Sequence, residues 1–244
     1  MRTAALWLLI IAGVAADADA RPPATRAAPG RFTAPADAAT TPAVRYGALA
    51  PADCYAELDA RGIAYARETA RGVAAPVRLT GPLHGVTFAA DVAAKDTATT
   101  PYAIADCRLV LALDDFAALL AAHDVVKVRH YSMYRPPPRS WADDKIGTRH
   151  DGALALDAAH FVRSDGSSLD VLDDFHGAIG DAPTCGADAH PHPATPAAAE
   201  LRAILCEAVD ARLFNVVLTP NYNKEHRNHF HLEVTAGVKW FLVH

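Results

Sequence analysis

Three histidines stand within six residues near the end of this 244-residue chain, in the run His226-Arg227-Asn228-His229-Phe230-His231. From Asn228 to Val234 the residues alternate as a strand does. His229 and His231 then share one face, and Phe230 points the other way, into a core. Two imidazoles side by side are a poor way to build a core and a good way to hold a metal or move a proton. Alone, the run is equally compatible with a solvated histidine cluster.

Upstream, Thr148-Arg149-His150-Asp151-Gly152-Ala153-Leu154-Ala155-Leu156-Asp157 supplies the missing partners. His150 falls at the end of a loop. Asp157 lies inside an apolar strand, where an aspartate must be paired, coordinated or at an edge, because burying a bare carboxylate is prohibitive. His150, Asp157 and His231 together have the composition of a catalytic zinc site, three protein ligands with a position left for water. Zinc would bring the pKa of that water down to about 7. Glu225 and Glu233 flank the cluster and are expected to face solvent. His160, His176, His190 and His192 carry no chemistry on this reading. No Gly-rich phosphate loop, Gly-x-Ser-x-Gly elbow or Cys-His signature competes with the histidine reading.

The elements that must position these residues are short and mixed. Helices are expected over Pro51–Ala60, Leu109–Ala122 and Ala197–Arg212. Strands are expected over Pro76–Thr80, Gly85–Ala89, Val125–Tyr131, Ala153–Phe161 and Phe214–Leu218. Pro136-Pro137-Pro138 must end any pairing after Tyr131 and open a loop to Gly147. Without a βαβ rhythm or an internal repeat, the class expected is α+β, with a small, mainly antiparallel sheet flanked by helices.

The ends and the composition bound the setting. Residues 1–20 have an apolar core from Ala4 to about Val14 and Ala-x-Ala sites, and read as a signal peptide. Residues 21–48 are rich in Ala, Pro and Thr and read as a disordered linker. The domain is then 49–244, with no further run able to span a bilayer. The formal charge is −5, and removing Arg2, Asp17 and Asp19 with the leader leaves −4. That mild acidity argues against nucleic acid or an anionic membrane as partner. Four cysteines in an exported chain imply two disulfides. Sequence proximity favours Cys54–Cys107 and Cys185–Cys206.

Taken together, the motifs resemble the LAS-type metallopeptidases, the group of the D-alanyl-D-alanine peptidases. Within that group the chain is most similar to the extensin-like C-terminal domain of bacterial exported proteins. The likeness runs from about Cys54 to His231. It is carried by Ser132-x-Tyr134-Arg135, the His150/Asp157 pair, Phe214-x-Val216-Val217-Leu218-x-Pro220-x-Tyr222-Asn223 and His226-x₂-His229-Phe230-His231-Leu232. The resemblance implies that His150, Asp157 and His231 hold Zn²⁺. It makes His229 the residue beside the metal water, His226 a further active-site histidine, and Arg135 the cation that meets a substrate carbonyl or carboxylate. The implied substrate is the peptide stem of peptidoglycan, in the periplasm or outside the cell. Two positions depart from the pattern. Ala153 stands where the family has glycine, and Asn228 stands where its carboxypeptidases have a carboxylate.

Overall fold

The computed structural model describes residues 32–181, 184–186 and 189–244. The chain enters through β1 (Phe32–Thr33), α1 (Pro42–Gly47) and α2 (Pro51–Ala60). Each of these helices opens on a proline, whose fixed φ suits a first turn where no N–H is needed. Next come β2 (Tyr65–Arg67), β3 (Pro76–Leu79), β4 (Thr87–Ala90) and β5 (Ile104–Asp106). Asp106 then caps α3 (Cys107–Ala122) by accepting from the Arg108 backbone N–H. Strands β6 (Val125–His130), β7 (Ala155–Arg163) and β8 (Ser168–Asp170) follow, with the single turn α4 (Val171–Asp174). Thr195 caps α5 (Pro196–Asp210), and β9 (Val216–Leu218), β10 (Phe230–Glu233) and β11 (Phe241–Val243) complete the fold.

The main sheet has eight strands in the order β1-β11-β9-β10-β7-β6-β4, with β8 paired to β7; β2, β3 and β5 form a separate antiparallel sheet. The α+β class is as expected. The main sheet is mainly antiparallel, as expected, but larger than the small one predicted, and it carries two parallel pairings, β11 with β9 and β4 with β6. Helix α3 lies in the connection from β4 to β6, the kind of crossover that parallel neighbours require. Both favoured disulfides are present. Cys54–Cys107 joins α2 to the start of α3, and Cys185–Cys206 ties the loop before α5 to that helix.

The alternation of the central strands divides the sheet into two chemically different faces. Leu156 and Ala158 of β7, Phe230 and Leu232 of β10, and Val217 of β9 enter one core with the apolar side of α3 and α5. Phe230 packs there against Phe161 and Phe175. Asp157, His229, His231, Glu233, Val216 and Leu218 project from the other face, where they floor a cleft.

One expected boundary moves. The leader and the linker up to residue 31 lie outside the described residues, but residues 32–48 are not the disordered linker predicted. Ala43, Val44 and Tyr46 of α1 are buried. Tyr46 joins the core and donates to Asp115, and Arg61 reaches the same hydroxyl. Tyr46 with its paired hydroxyl, and Ala38, Ala43 and Val44 packed with Phe241, anchor a stretch whose alanines and prolines look too poor to fold.

Candidate metal centre

Register places the site. His231 lies directly opposite Asp157 across the β10–β7 ladder, and both point away from the core. His229, two residues earlier, shares that face. His150 comes from the loop before β7, whose backbone is tied to the Arg135 loop by an Arg135 N–H to His150 carbonyl bond of 2.9 Å. The residues surround a cleft of about 980 Å³ walled by Pro136–Pro138, Trp141, Tyr222 and Trp240.

Asp157 is fully buried and is the hub of the cluster. Its Oδ1 lies 3.0 Å from His150 Nε2, 3.1 Å from His231 Nδ1 and 3.3 Å from His229 Nε2. Its Oδ2 accepts from Ser132 Oγ at 3.3 Å and from Arg135 Nη2. Burial pushes the Asp157 carboxyl upward, but the imidazoles of His150, His229 and His231 packed against it outweigh this and hold the group far below the usual carboxylate range.

The far nitrogens decide the tautomers. His150 Nδ1 stands 3.2 Å from the Met133 carbonyl oxygen, which can only accept, so the hydrogen belongs on Nδ1 and Nε2 is bare. His231 Nε2 meets the Glu233 carboxylate at 3.3 Å, which leaves Nδ1 bare. His229 Nδ1 donates to Asn228 Oδ1 at 3.0 Å while Asn228 Nδ2 donates to Tyr131, so His229 Nε2 is bare as well. Two imidazole lone pairs, 3.3 Å apart, thus converge with a carboxylate oxygen on one point. Neutral rings so arranged repel one another unless a cation sits among them.

A divalent metal fits this donor set. Two ligand atoms of a tetrahedral zinc, each at about 2.0–2.1 Å, are roughly 3.3 Å apart. The three edges here are 3.0, 3.1 and 3.3 Å. Among the described residues, His150, Asp157 and His231 are the one group able to offer such a set.

Electrostatics treats the rings of this cluster differently. Burial lowers the His150 imidazole despite Asp157 beside it. Burial, reinforced by His229 and His231, brings His226 down to about 4. Burial also disfavours charge on His231, but the Asp157 and Glu233 carboxylates beside it raise it above its ordinary value. An opposing metal charge would offset that carboxylate pull.

All six candidate residues therefore meet in one cleft. His226 stands with its ring centre 5.2 Å from that of His229 and donates through Nδ1 to Asn223 at 2.6 Å, leaving Nε2 as its basic nitrogen. Arg135 is half committed to Ser132 and Asp157. Two expectations need correction. Glu233 does not face solvent; it is 4% exposed and braces His231. The two-residue alternation that pairs His229 with His231 puts Glu233 on their face too, and that signal was present in the sequence. Asn228 is more than a missing carboxylate, since it orients His229. Ala153, in the glycine position, adopts φ +52, so the loop keeps the left-handed turn without glycine. Gly152 is needed beside it, because a Cβ there would lie 2.4 Å from the Gly147 carbonyl carbon. Glu225, His190 and His192 are exposed, as expected, and His160 is engaged with Asp170 at 2.9 Å.

The fold and the site together define an α+β domain with a largely buried His-Asp-His corner on the cleft face of its sheet. The chain belongs to the extensin-like C-terminal family: the family model described as "Extensin-like protein C-terminus" matches residues 52–242, a span that includes every residue of the corner. No curated protein and no solved structure matches the chain.

Proposed function

We propose that this protein is an exported zinc-dependent peptidase that hydrolyses a peptide bond in bacterial peptidoglycan, of the endopeptidase or D-alanyl-D-alanine carboxypeptidase type. One observation carries the reading: two bare imidazole nitrogens and a carboxylate oxygen converge, each tautomer held from behind, with a third bare nitrogen alongside. Zinc held by His150, Asp157 and His231 supplies Lewis acidity and lowers the pKa of its bound water to about 7.

The side chains around that centre have separate tasks. His229 Nε2, left bare by the Nδ1 bond to Asn228, accepts the proton as the water oxygen attacks the scissile carbonyl carbon. It returns the proton to the departing amine as the C–N bond breaks. His226 supports His229 and relays the proton toward the cleft. Arg135 lines the cleft with the donors that Ser132 and Asp157 do not use, and these meet the carbonyl oxygen as it gains charge. Asn228 cannot act as a base, which favours an internal bond over a terminal D-alanine. Two disulfides and the leader-like N-terminus support export, and the family resemblance supports the wall peptide as substrate.

Mass spectrometry of peptidoglycan fragments incubated with the zinc-loaded protein tests this. Fragments gaining one water, lost on chelation and in His229→Ala, are the expected result. Unchanged muropeptides in every metal and pH condition, from a protein that purifies without metal, would sink it. Binding without turnover, indifferent to His229→Ala, would instead identify a non-catalytic wall-binding module.

A further inference from the structure

The cleft contains two arginines that are not equivalent. Arg135 donates from Nε to Ser132 at 2.9 Å and from Nη2 to Asp157, so its first task is to hold a ligand. Arg149 lines the same cleft with its side chain 75% exposed. The nearest carboxylate, Glu233, stands 3.8 Å from its Nε, beyond hydrogen-bond distance. That carboxylate already serves His231 at 3.3 Å and Thr235 at 2.8 Å. Among the described residues, the Arg149 guanidinium makes no hydrogen bond, so its planar set of donors is available to a ligand.

Its backbone, by contrast, is firmly held. Arg149 has φ +44, a left-handed conformation unusual for a side chain of this size, and its carbonyl accepts from Leu154 N–H at 2.7 Å. The same turn carries His150, so the exposed guanidinium and the metal corner are set in a common frame.

We propose that Arg149 anchors a carboxylate of the substrate, and that the substrate is a short peptide carrying that carboxylate within about three residues of the scissile bond. This rests on the peptidase reading. From His231 Nδ1 the path crosses the ring, runs 3.3 Å to Glu233 and 3.8 Å on to Arg149 Nε. Its length is at most about 10 Å, the span of roughly three extended residues. A guanidinium pairs with a carboxylate through two parallel N–H bonds, so it distinguishes a carboxylate sharply from an amide. The carboxylate can be a chain terminus or an acidic side chain.

The test offers the zinc-loaded full chain a synthetic wall-stem peptide in three forms: both carboxylates free, the terminus amidated, or the side chain amidated. In the wild-type protein, amidating one of the two is expected to raise KM by about 10-fold or more, which identifies the source. Arg149→Gln should abolish that discrimination through KM, with kcat changed less than about threefold, and Arg149→Lys should restore part of it. Equal KM for all three forms in the wild type, or loss of kcat with KM unchanged in Arg149→Gln, overturns the anchor and leaves the peptidase reading intact. If no form is cut or bound, both fall. Should Arg149→Gln fail to fold, the wild-type comparison and Arg149→Lys still decide.

Discussion

Replacing Glu233 with glutamine tests whether the buried carboxylate behind His231 controls the grip on metal. Glu233 accepts from His231 Nε2 at 3.3 Å and from Thr235 Oγ1 at 2.8 Å. Burial pushes its carboxyl upward, but the bonds from His231 and Thr235 outweigh this and keep it below the ordinary value, hence ionised at neutral pH. An ionised carboxylate can only accept, so it forces the hydrogen onto Nε2 and frees Nδ1 for the metal corner. Glutamine removes the charge and lets either tautomer persist. Losing such a partner behind a ligand typically costs 10–100-fold in metal affinity. The long 3.3 Å contact places this case near the lower bound, about 10-fold or ~1.4 kcal/mol. Zinc affinity is read by competition with a chromophoric chelator at neutral pH, with circular dichroism confirming the fold. Thr235→Val, which removes only the second bond to Glu233, should weaken zinc by less. A folded Glu233→Gln that binds zinc within about twofold of wild type would refute the view that Glu233 sets the His231 tautomer.

The strained loop beside His150 makes a second prediction. Left-handed alanine costs about 1–2 kcal/mol, so Ala153→Gly should leave stability within about 0.5 kcal/mol of wild type despite the lost buried methyl. Ala158→Gly, in an ordinary strand, should cost about 1.5 kcal/mol by the same denaturant titration. Gly152→Ala should destabilise strongly and lower zinc binding, since its Cβ would press on the Gly147 and Thr148 backbone. A third concerns pH. Burial disfavours charge on His123, but Glu200 at 2.9 Å and Glu207 at 3.1 Å raise it above its ordinary value. That contribution is fully present below about pH 6.5 and is lost as pH rises through the elevated folded value. With Glu207 about half exposed, it amounts to roughly 0.5 kcal/mol, read as the urea-unfolding gap between wild type and His123→Gln closing from pH ~6 to ~9. Finally, Cys54–Cys107 closes 53 residues and Cys185–Cys206 closes 21. Loop entropy then predicts losses of about 4 and 3 kcal/mol on paired Cys→Ala replacement, seen as lower denaturation midpoints.

Much of the site was legible because its information is local. Strand alternation puts His229 and His231 together whatever the rest of the chain does, and an aspartate inside an apolar strand advertises a partner. Glu233 obeyed the same alternation and was nonetheless assigned to solvent, because a glutamate between apolar residues usually sits on an exposed face. Here the opposite face of the sheet is roofed by the 135–141 and 148–151 loops, so no face is open at that point. Residues 32–48 failed for another reason: composition averages over a segment, and a few well-placed side chains are invisible to an average.

The sequence by itself determined which residues are able to coordinate, the spacing that separates His150 from Asp157 and the α+β class, while for the cysteines it offered a preference by proximity that the fold decided. Only tertiary structure decided that Asp157 and His231, 74 positions apart, lie opposite each other in adjacent strands. It alone set which nitrogen of each imidazole is bare, because that depends on the carbonyl, carboxylate and amide oxygens that long-range packing brings behind each ring. A tautomer is a property of a ring's surroundings, and those surroundings exist only once the sheet has formed.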